Sequence, residues 1–473
     1  MNPLPSLEPV ALSAPDKYSR LLPEFDYARP NAVLARQLTD LGESMHDART
    51  SMPAARQRGT PIFAGYTYFG QFIAHDLAFD DTPIPEAGWV KPSETRNYRT
   101  PWLDLDSVYG DGPGSDRHKG LYASDGQSFL LGDEVNAYGA RFDVPLHQGR
   151  PQVADCRNCG NALIRQLHAI FLRLHNAALQ EQPRGLPPRQ RFANARTRVV
   201  WQYQWLVREK FLAKVCTDAV VTDVVRAGNR RIRYPEGRFS IPVEFSHAAA
   251  RFGHSMVRES YTLSPRGGRV TLTELFASAH GNGPLSPELA VNWHHFFSNA
   301  PSMRIDRRIT DPMGNLPDAA IQPLVPSPSP HPPHSLPLRT LQRGCALKLA
   351  SGQQVRAVLA PEARLAPPDC AYRFDPWDLL ESFDFARDTP LWYYLLLEAE
   401  LNESGLRLGT VGSRLLTEVI EASLRADPGS YLNQPKYEEG WRPPRWKIRD
   451  DVTIAVESPA DLALVAGLET LQS

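Results

Sequence analysis

Cysteine is scarce in this chain: 473 residues hold five, an odd number that leaves at least one thiol unpaired and excludes a scaffold built on disulfides. Long apolar runs are missing as well. The densest stretch, 391–397, is followed by Glu398 and Glu400 and falls far short of the ~20 residues a membrane helix needs. Charge of one sign is also lacking. A formal net charge of -1 argues against a general binder of nucleic acid or of anionic membranes, while leaving room for a local basic patch. The opening MNPLPSLEPVALSAPDKYSR has neither the basic start nor the apolar stretch of a secretory signal, so an intracellular, cytoplasmic protein is expected. Strand-type alternation is sparse, with only 268–272 suggesting it.

What is present is apolar and helical. Hydrophobic residues make up 42%, enough for a substantial core. Apolar residues recur at spacings of three and four, predicting helices over 70–79, 161–180, 191–212, 243–258, 392–401 and 412–424. Leu163, Leu167, Ile170, Phe171 and Leu174 mark one such face. The 43 prolines make the connections long and irregular. The expected fold is mainly α: one large helical domain over 61–473 with few short strands, preceded by an arm over 1–60 wrapped on its surface. The proline-rich stretch 323–337 reads as a surface loop within that domain.

Four short motifs carry chemistry. In GQFIAHD, Gln71 and His75 are four apart and share a helix face, while Asp76 points elsewhere. In TPWLDLDS, the side-chain oxygens of Thr100, Asp104 and Asp106, with the Trp102 carbonyl, fall at alternate positions. Asp76 added to these approaches the 6 to 8 oxygens that calcium prefers, where a lone acidic turn would simply be solvated. Arg157 precedes a long helix in DCRNCGN. The flanking Cys156 and Cys159 lack the second CxxC of a structural zinc site and read as two reduced thiols. In RFGH, Gly253 removes a side chain beside His254, allowing a flat ligand to approach.

Taken in order, GQFIAHD, TPWLDLDSVYG, ADCRN with its helix reaching LHN, RFGHSM, TPLWYYLLLEAE and LGTVGSRLLTEVI resemble the animal-type haem peroxidase superfamily, particularly its bacterial branch. The resemblance implies the role of each residue. Gln71, His75 and Arg157 match the groups on the peroxide side of the haem, and His254 matches the iron ligand on the other side. Asp76, Thr100, Trp102, Asp104 and Asp106 match calcium ligands, and Arg251 and Arg343 match residues near the haem propionates. The implied reaction is oxidation of a small organic donor, aromatic ones included, by hydrogen peroxide through a ferryl species, with haem b and Ca2+ bound. A neutral imidazole at His75 would take a proton from one peroxide oxygen and return it to the other, and Arg157 would stabilise the departing charge.

The chain departs from the family at three places. Mammalian relatives esterify haem through an Asp directly before the distal His and a Glu three residues after the distal Arg. Ala74 and Gly160 stand there and can form no ester, which implies non-covalent haem b and makes chloride oxidation doubtful. Where the family orients the proximal His with an Asn, this chain offers Thr340. Fatty-acid dioxygenase relatives carry a radical-forming Tyr three residues before the proximal His, a position held here by Arg251. That weighs against a fatty-acid oxygenase. A dedicated oxidase or peroxygenase of secondary metabolism stays open beside the general peroxidase.

Overall fold

The computed structural model describes residues 10–11, 18–26, 31–46, 60–82, 95–234, 238–280, 283–321, 334–366, 376–435, 437, 440–449 and 451–470. Three helices meet in an aromatic knot at its centre: Ala64–Leu77, Ala162–Gln180 and Pro188–Trp205. Phe72 stacks on Phe171 at 4.7 Å between centroids. Tyr203 sets its edge against Phe69, Phe72 and Phe171. These rings are almost wholly buried, so the knot fixes the rotation of the Ala64–Leu77 helix and with it the direction of Gln71 and His75.

Local chemistry sets the helix ends. The Asn161 side chain accepts the backbone N–H of Leu163 and Ile164, capping Ala162–Gln180. Pro188 begins the next helix, where its missing N–H costs nothing. That helix continues through a π-helical stretch, Leu206–Phe211, into Leu212–Val215, close to the expected single helix over 191–212. Two late helices, Leu391–Glu403 and Thr410–Ala426, pack on one another near their expected positions.

The expected helix over 243–258 is broken in two. Val243–His247 is α-helical, Ala248 leaves the helical region at φ -133 and ψ -70, and Ala249–Met256 continues as a tighter 3-10 helix. The Arg251 Nε donates to the Ser246 carbonyl at 3.2 Å, a side-chain bond within the turn at the break. Among the described residues, strands are only two or three residues long. The expected one at 268–272 is Arg269–Thr271, antiparallel to Ser260–Thr262 with Tyr261 opposite Val270.

Helices Asn31–Ser44, Leu272–His280 and Leu336–Ala346 were not foreseen from periodicity. The first lies inside the expected arm and packs Leu34, Leu38 and Leu41 into the core against Leu336–Ala346. Residues 323–333 of the proline-rich stretch lie outside the described residues. None of the described helices is long and apolar enough to cross a membrane.

Candidate active site

The Ala64–Leu77 helix packs directly against the Ala249–Met256 turn, and Leu391–Glu403 closes on that turn from another side. His75 belongs to the first of these elements and His254 to the second. Both imidazoles are hemmed in by protein yet only half-buried, and among the described residues no ring contact joins them. A Cβ placed on Gly253 would meet nothing within 4 Å, so space opens beside His254.

His75 is held in one tautomer. Its Nδ1 lies 2.9 Å from the Asn158 side-chain oxygen. The Asn158 amide nitrogen donates to the Ser107 carbonyl at 3.4 Å and to His168 Nδ1 at 3.1 Å. Asn158 must therefore accept from His75, which places the proton on Nδ1 and leaves the Nε2 lone pair free. Burial, reinforced by the positive charge of Arg157, lowers the His75 pKa to about 4 against the opposing pull of Asp155 and Asn158. A neutral base results at ordinary pH.

Arg157 is tied down on most sides. Its Nε and Nη2 grip Asp155 at 3.0 and 2.6 Å, and Nη2 also reaches the His75 carbonyl at 2.7 Å. Nη1 donates to the Ala78 carbonyl at 2.6 Å, and the guanidinium lies 4.3 Å from the Phe79 ring centre. A guanidinium has five N–H groups. One on Nη1 is left for a guest. Gln71, one turn before His75, is half-buried.

The acidic motif closes on itself. Carboxylate oxygens of Asp76, Asp104 and Asp106 lie within 4.8 Å of one another. Asp76 accepts from the Leu105 N–H at 3.1 Å and the Ser107 hydroxyl at 2.9 Å. The Thr100 hydroxyl donates to Asp104 at 2.8 Å, and its N–H to Asp106 at 3.0 Å. The Trp102 ring stacks on Phe239, anchoring the loop. Burial and then mutual repulsion push Asp76 up, and burial, with Asp104 adding to it and Arg99 opposing, takes Asp106 to about 7. Asp106 Oδ1 is buried with no hydrogen-bond partner. A carboxylate cluster with a free inward oxygen fits a hard dication, whose charge would relieve the repulsion.

His254 has a different surrounding. Its ring meets the Trp392 indole edge-on at 6.0 Å, and the indole N–H donates to the Arg251 carbonyl. His254 Nδ1 is buried without a hydrogen-bond partner. Thr340, expected to orient it, spends its hydroxyl on the Leu336 carbonyl at 3.0 Å, the residue one turn earlier in its own helix, and makes no bond to His254. Small side chains in helices commonly close on the preceding turn in this way. Arg343 bonds the Thr82 carbonyl and lies 3.6 Å from Asp80, which also meets His247 at 2.9 Å and accepts the Thr82 N–H at 2.8 Å. Burial alone would raise Asp80; the hydrogen bond and charge of His247, with Arg343, instead hold it well below the usual carboxylate range. Burial, then Arg343, lowers Arg251 to about 10.

Sequence reasoning missed Asn158, Asp155, Arg99, His247 and Asp80. Asn158 and Asp155 sit beside Arg157 in the motif and could have been weighed as its companions. Arg99 could have been weighed with Asp106, seven residues on, whereas the His247–Asp80 pair carries no local signal, because its members come from distant segments. Cys156, Cys159 and Cys216 form no disulfide, and burial raises Cys159 to about 12, which suits an inert thiol.

No curated protein sequence matches the chain. Among solved structures, peroxidase A from Dictyostelium discoideum is 16% identical with a TM-score of 0.62, covering 91% of this chain and 89% of its own. The fatty acid alpha-dioxygenase of Oryza sativa is 13% identical with a TM-score of 0.63, covering 98% and 80%. That of Arabidopsis thaliana is 14% identical at 0.61, covering 89% and 73%. These likenesses establish a shared fold. The animal haem peroxidase family model matches residues 78–314, half of the sequence and the part that holds Arg157 and His254, and the chain belongs to that family.

Proposed function

We propose that this protein is a haem-dependent peroxidase that uses hydrogen peroxide to oxidise small organic donors, with haem b bound non-covalently and calcium in the Asp76 loop. Family membership makes it an oxidoreductase of the peroxidase class and implies haem binding. The observation that carries the finer reading is the fixed tautomer of His75: Asn158 holds the proton on Nδ1, so Nε2 keeps its lone pair and can act as a base. His254 would hold the iron through Nε2, and the space beside Gly253 suits a flat macrocycle. When bound, the haem supplies the two-electron reduction of peroxide and the one-electron oxidations that follow.

The protein's own groups manage protons and charge. His75 Nε2 takes a proton from the near peroxide oxygen and returns it to the far one, and the remaining Arg157 N–H stabilises the charge on the departing oxygen. Gln71, on the same helix face as His75, positions the peroxide or the water that precedes it. Arg251 and Arg343 would lie toward the carboxylate edge of the macrocycle. Calcium would join Asp76, Asp104 and Asp106, with the Thr100 hydroxyl and Trp102 carbonyl, and so brace the residue next to His75. Ala74 and Gly160 leave no ester-forming carboxyl at the family's attachment points.

Arg251, three residues before His254, favours this reading over a fatty-acid oxygenase, because it offers no phenol for a radical. The test is stopped-flow absorbance of the haem-loaded protein mixed with peroxide, followed by turnover of phenols, iodide and bromide. His75→Ala is expected to slow the peroxide reaction by a hundredfold or more, roughly the range of a lost general base. Full peroxide reactivity in that variant would defeat the mechanism. Acid extraction is expected to remove all haem from the polypeptide; haem that stays attached would defeat the non-covalent assignment.

A further inference from the structure

Tyr18 belongs to the segment before the expected domain, yet it is among the largest fully buried side chains, 1% exposed. Its hydroxyl is buried and has no hydrogen-bond partner. A buried phenol without an acceptor carries the full cost of its lost hydration. Such a group, set against His247 and close to Arg251, points to a missing guest.

The segment is pinned so that this phenol cannot turn away. Ser19 donates its N–H to the Ile241 carbonyl and its hydroxyl to the Ser240 carbonyl, both at 2.9 Å. The Leu21 and Leu22 N–H groups bond the buried Glu244 carboxylate at 3.1 and 3.2 Å. The Arg20 guanidinium reaches the carbonyls of Leu347 and Lys348. Residues 18–22 thus strap the Val243–His247 helix, which leads into the His254 turn, to the end of the helix that carries Arg343.

The Tyr18 ring sits edge-on to His247 at 5.4 Å. Asp80, Arg157, Arg251 and Arg343 all lie within electrostatic reach of its hydroxyl. Arg157 is neutralised by Asp155, whereas Arg251, Arg339 and Arg343 crowd one another, with Asp80 and Asp81 opposing them among the described residues. Half-buried guanidinium groups beside a buried, unused hydroxyl suit a carboxylate. The porphyrin of haem b carries two.

We propose that Tyr18 is a cofactor-binding residue whose hydroxyl donates to a haem carboxylate held by Arg251, so that the N-terminal strap clasps the macrocycle. The inference rests on the haem reading above. It makes the segment before residue 61 part of the haem site instead of a surface covering.

The test compares wild type with Tyr18→Phe, which keeps the ring and removes only the hydroxyl. Both are loaded with haem, and haem loss to excess apomyoglobin is followed at the Soret band. The same measurement is repeated with haem dimethyl ester, which lacks the anionic oxygens. Tyr18→Phe is expected to lose haem roughly tenfold faster, as for a lost hydrogen bond to a charged group, and to differ from wild type by less than about twofold with the ester. Equal loss rates with ordinary haem would overturn the clasp while leaving the haem reading intact. A penalty of equal size with both porphyrins would also overturn it, since the carboxylate would then be irrelevant. Wild type that takes up no haem would overturn the haem reading itself. Limited proteolysis adds a readout independent of the variant: cleavage N-terminal to residue 61 is expected to slow when haem is added to the apoprotein, and an unchanged rate contradicts the clasp.

Discussion

Asn158 decides what His75 can do. It receives the proton of Nδ1 while donating to the Ser107 carbonyl, so the base is oriented by an amide instead of the carboxylate that many catalytic histidines use. Asn158→Leu removes that acceptor while nearly preserving volume. The peroxide reaction is expected to slow roughly ten- to a hundredfold, as for loss of an outer partner, with the Soret band of the resting protein unchanged. A rate equal to wild type in rapid mixing would show that the tautomer is fixed by something else. The His75, Arg157 and His254 motifs were legible in sequence because each sits in a compact, ordered string of residues. The failed expectation, Thr340 as partner of His254, was a spacing argument. Spacing gave the residue its place near an arginine but could not tell that its hydroxyl would fold back onto Leu336.

Buried carboxylates fix the helices at the element scale. The Glu398 carboxylate, within Leu391–Glu403, accepts the N–H of Val411 at 3.0 Å and of Gly412 at 3.2 Å, capping Thr410–Ala426 from outside. It lies so close to Gly409 that a Cβ there would fall 2.3 Å from its Cγ, which is why glycine stands at that position. Burial pushes the Glu398 carboxyl from 4.5 up to about 7; Glu403 adds to this, and the two amides and Arg356 oppose it. The folded protein therefore binds this proton more tightly than the unfolded chain, and stability falls as pH rises from about 4.5 to about 7. Glu398→Gln does not titrate. Between about pH 5 and pH 8 its thermal stability relative to the parent is expected to improve by up to ~3 kcal/mol, read from paired melting curves. A constant gap across that range would refute the assignment. Most long helices were readable from their apolar spacing. The break at Ala248 was not, because the side-chain bond from Arg251 to Ser246 competes with the helical ladder in a way that periodicity does not register. Asn31–Ser44 was missed because its apolar stripe is short and set among prolines and polar residues.

Across the whole molecule, the acidic loop and the peroxide-side residues form one connected body. Arg99 lies 3.5 Å from Asp106 in the cluster and 3.5 Å from Asp155, the carboxylate that grips Arg157. A second route runs from Asp76 through Ser107 to Asn158 and His75. A dication among Asp76, Asp104 and Asp106 would thus set the posture of both His75 and Arg157 without touching the substrate. Removing it with a chelator is expected to lower the melting temperature and slow the peroxide reaction together, with both restored by added calcium. Loss of stability with an unaltered peroxide rate would break the proposed connection. Beyond the Asp76 loop and the contacts within the Asp155–Arg157 motif, this network was not legible in sequence, since links such as Arg99 to Asp155 and Asn158 to His75 join segments dozens of residues apart.

The central claim, that His254 holds a haem iron whose open face looks toward His75, is tested most directly by the resonance Raman spectrum of the ferrous haem-loaded protein. An iron–histidine stretch is predicted in the range of a neutral, weakly hydrogen-bonded imidazole, because His254 Nδ1 has no acceptor, and it should vanish in His254→Ala and return with added imidazole. A stretch that survives in His254→Ala would contradict the account.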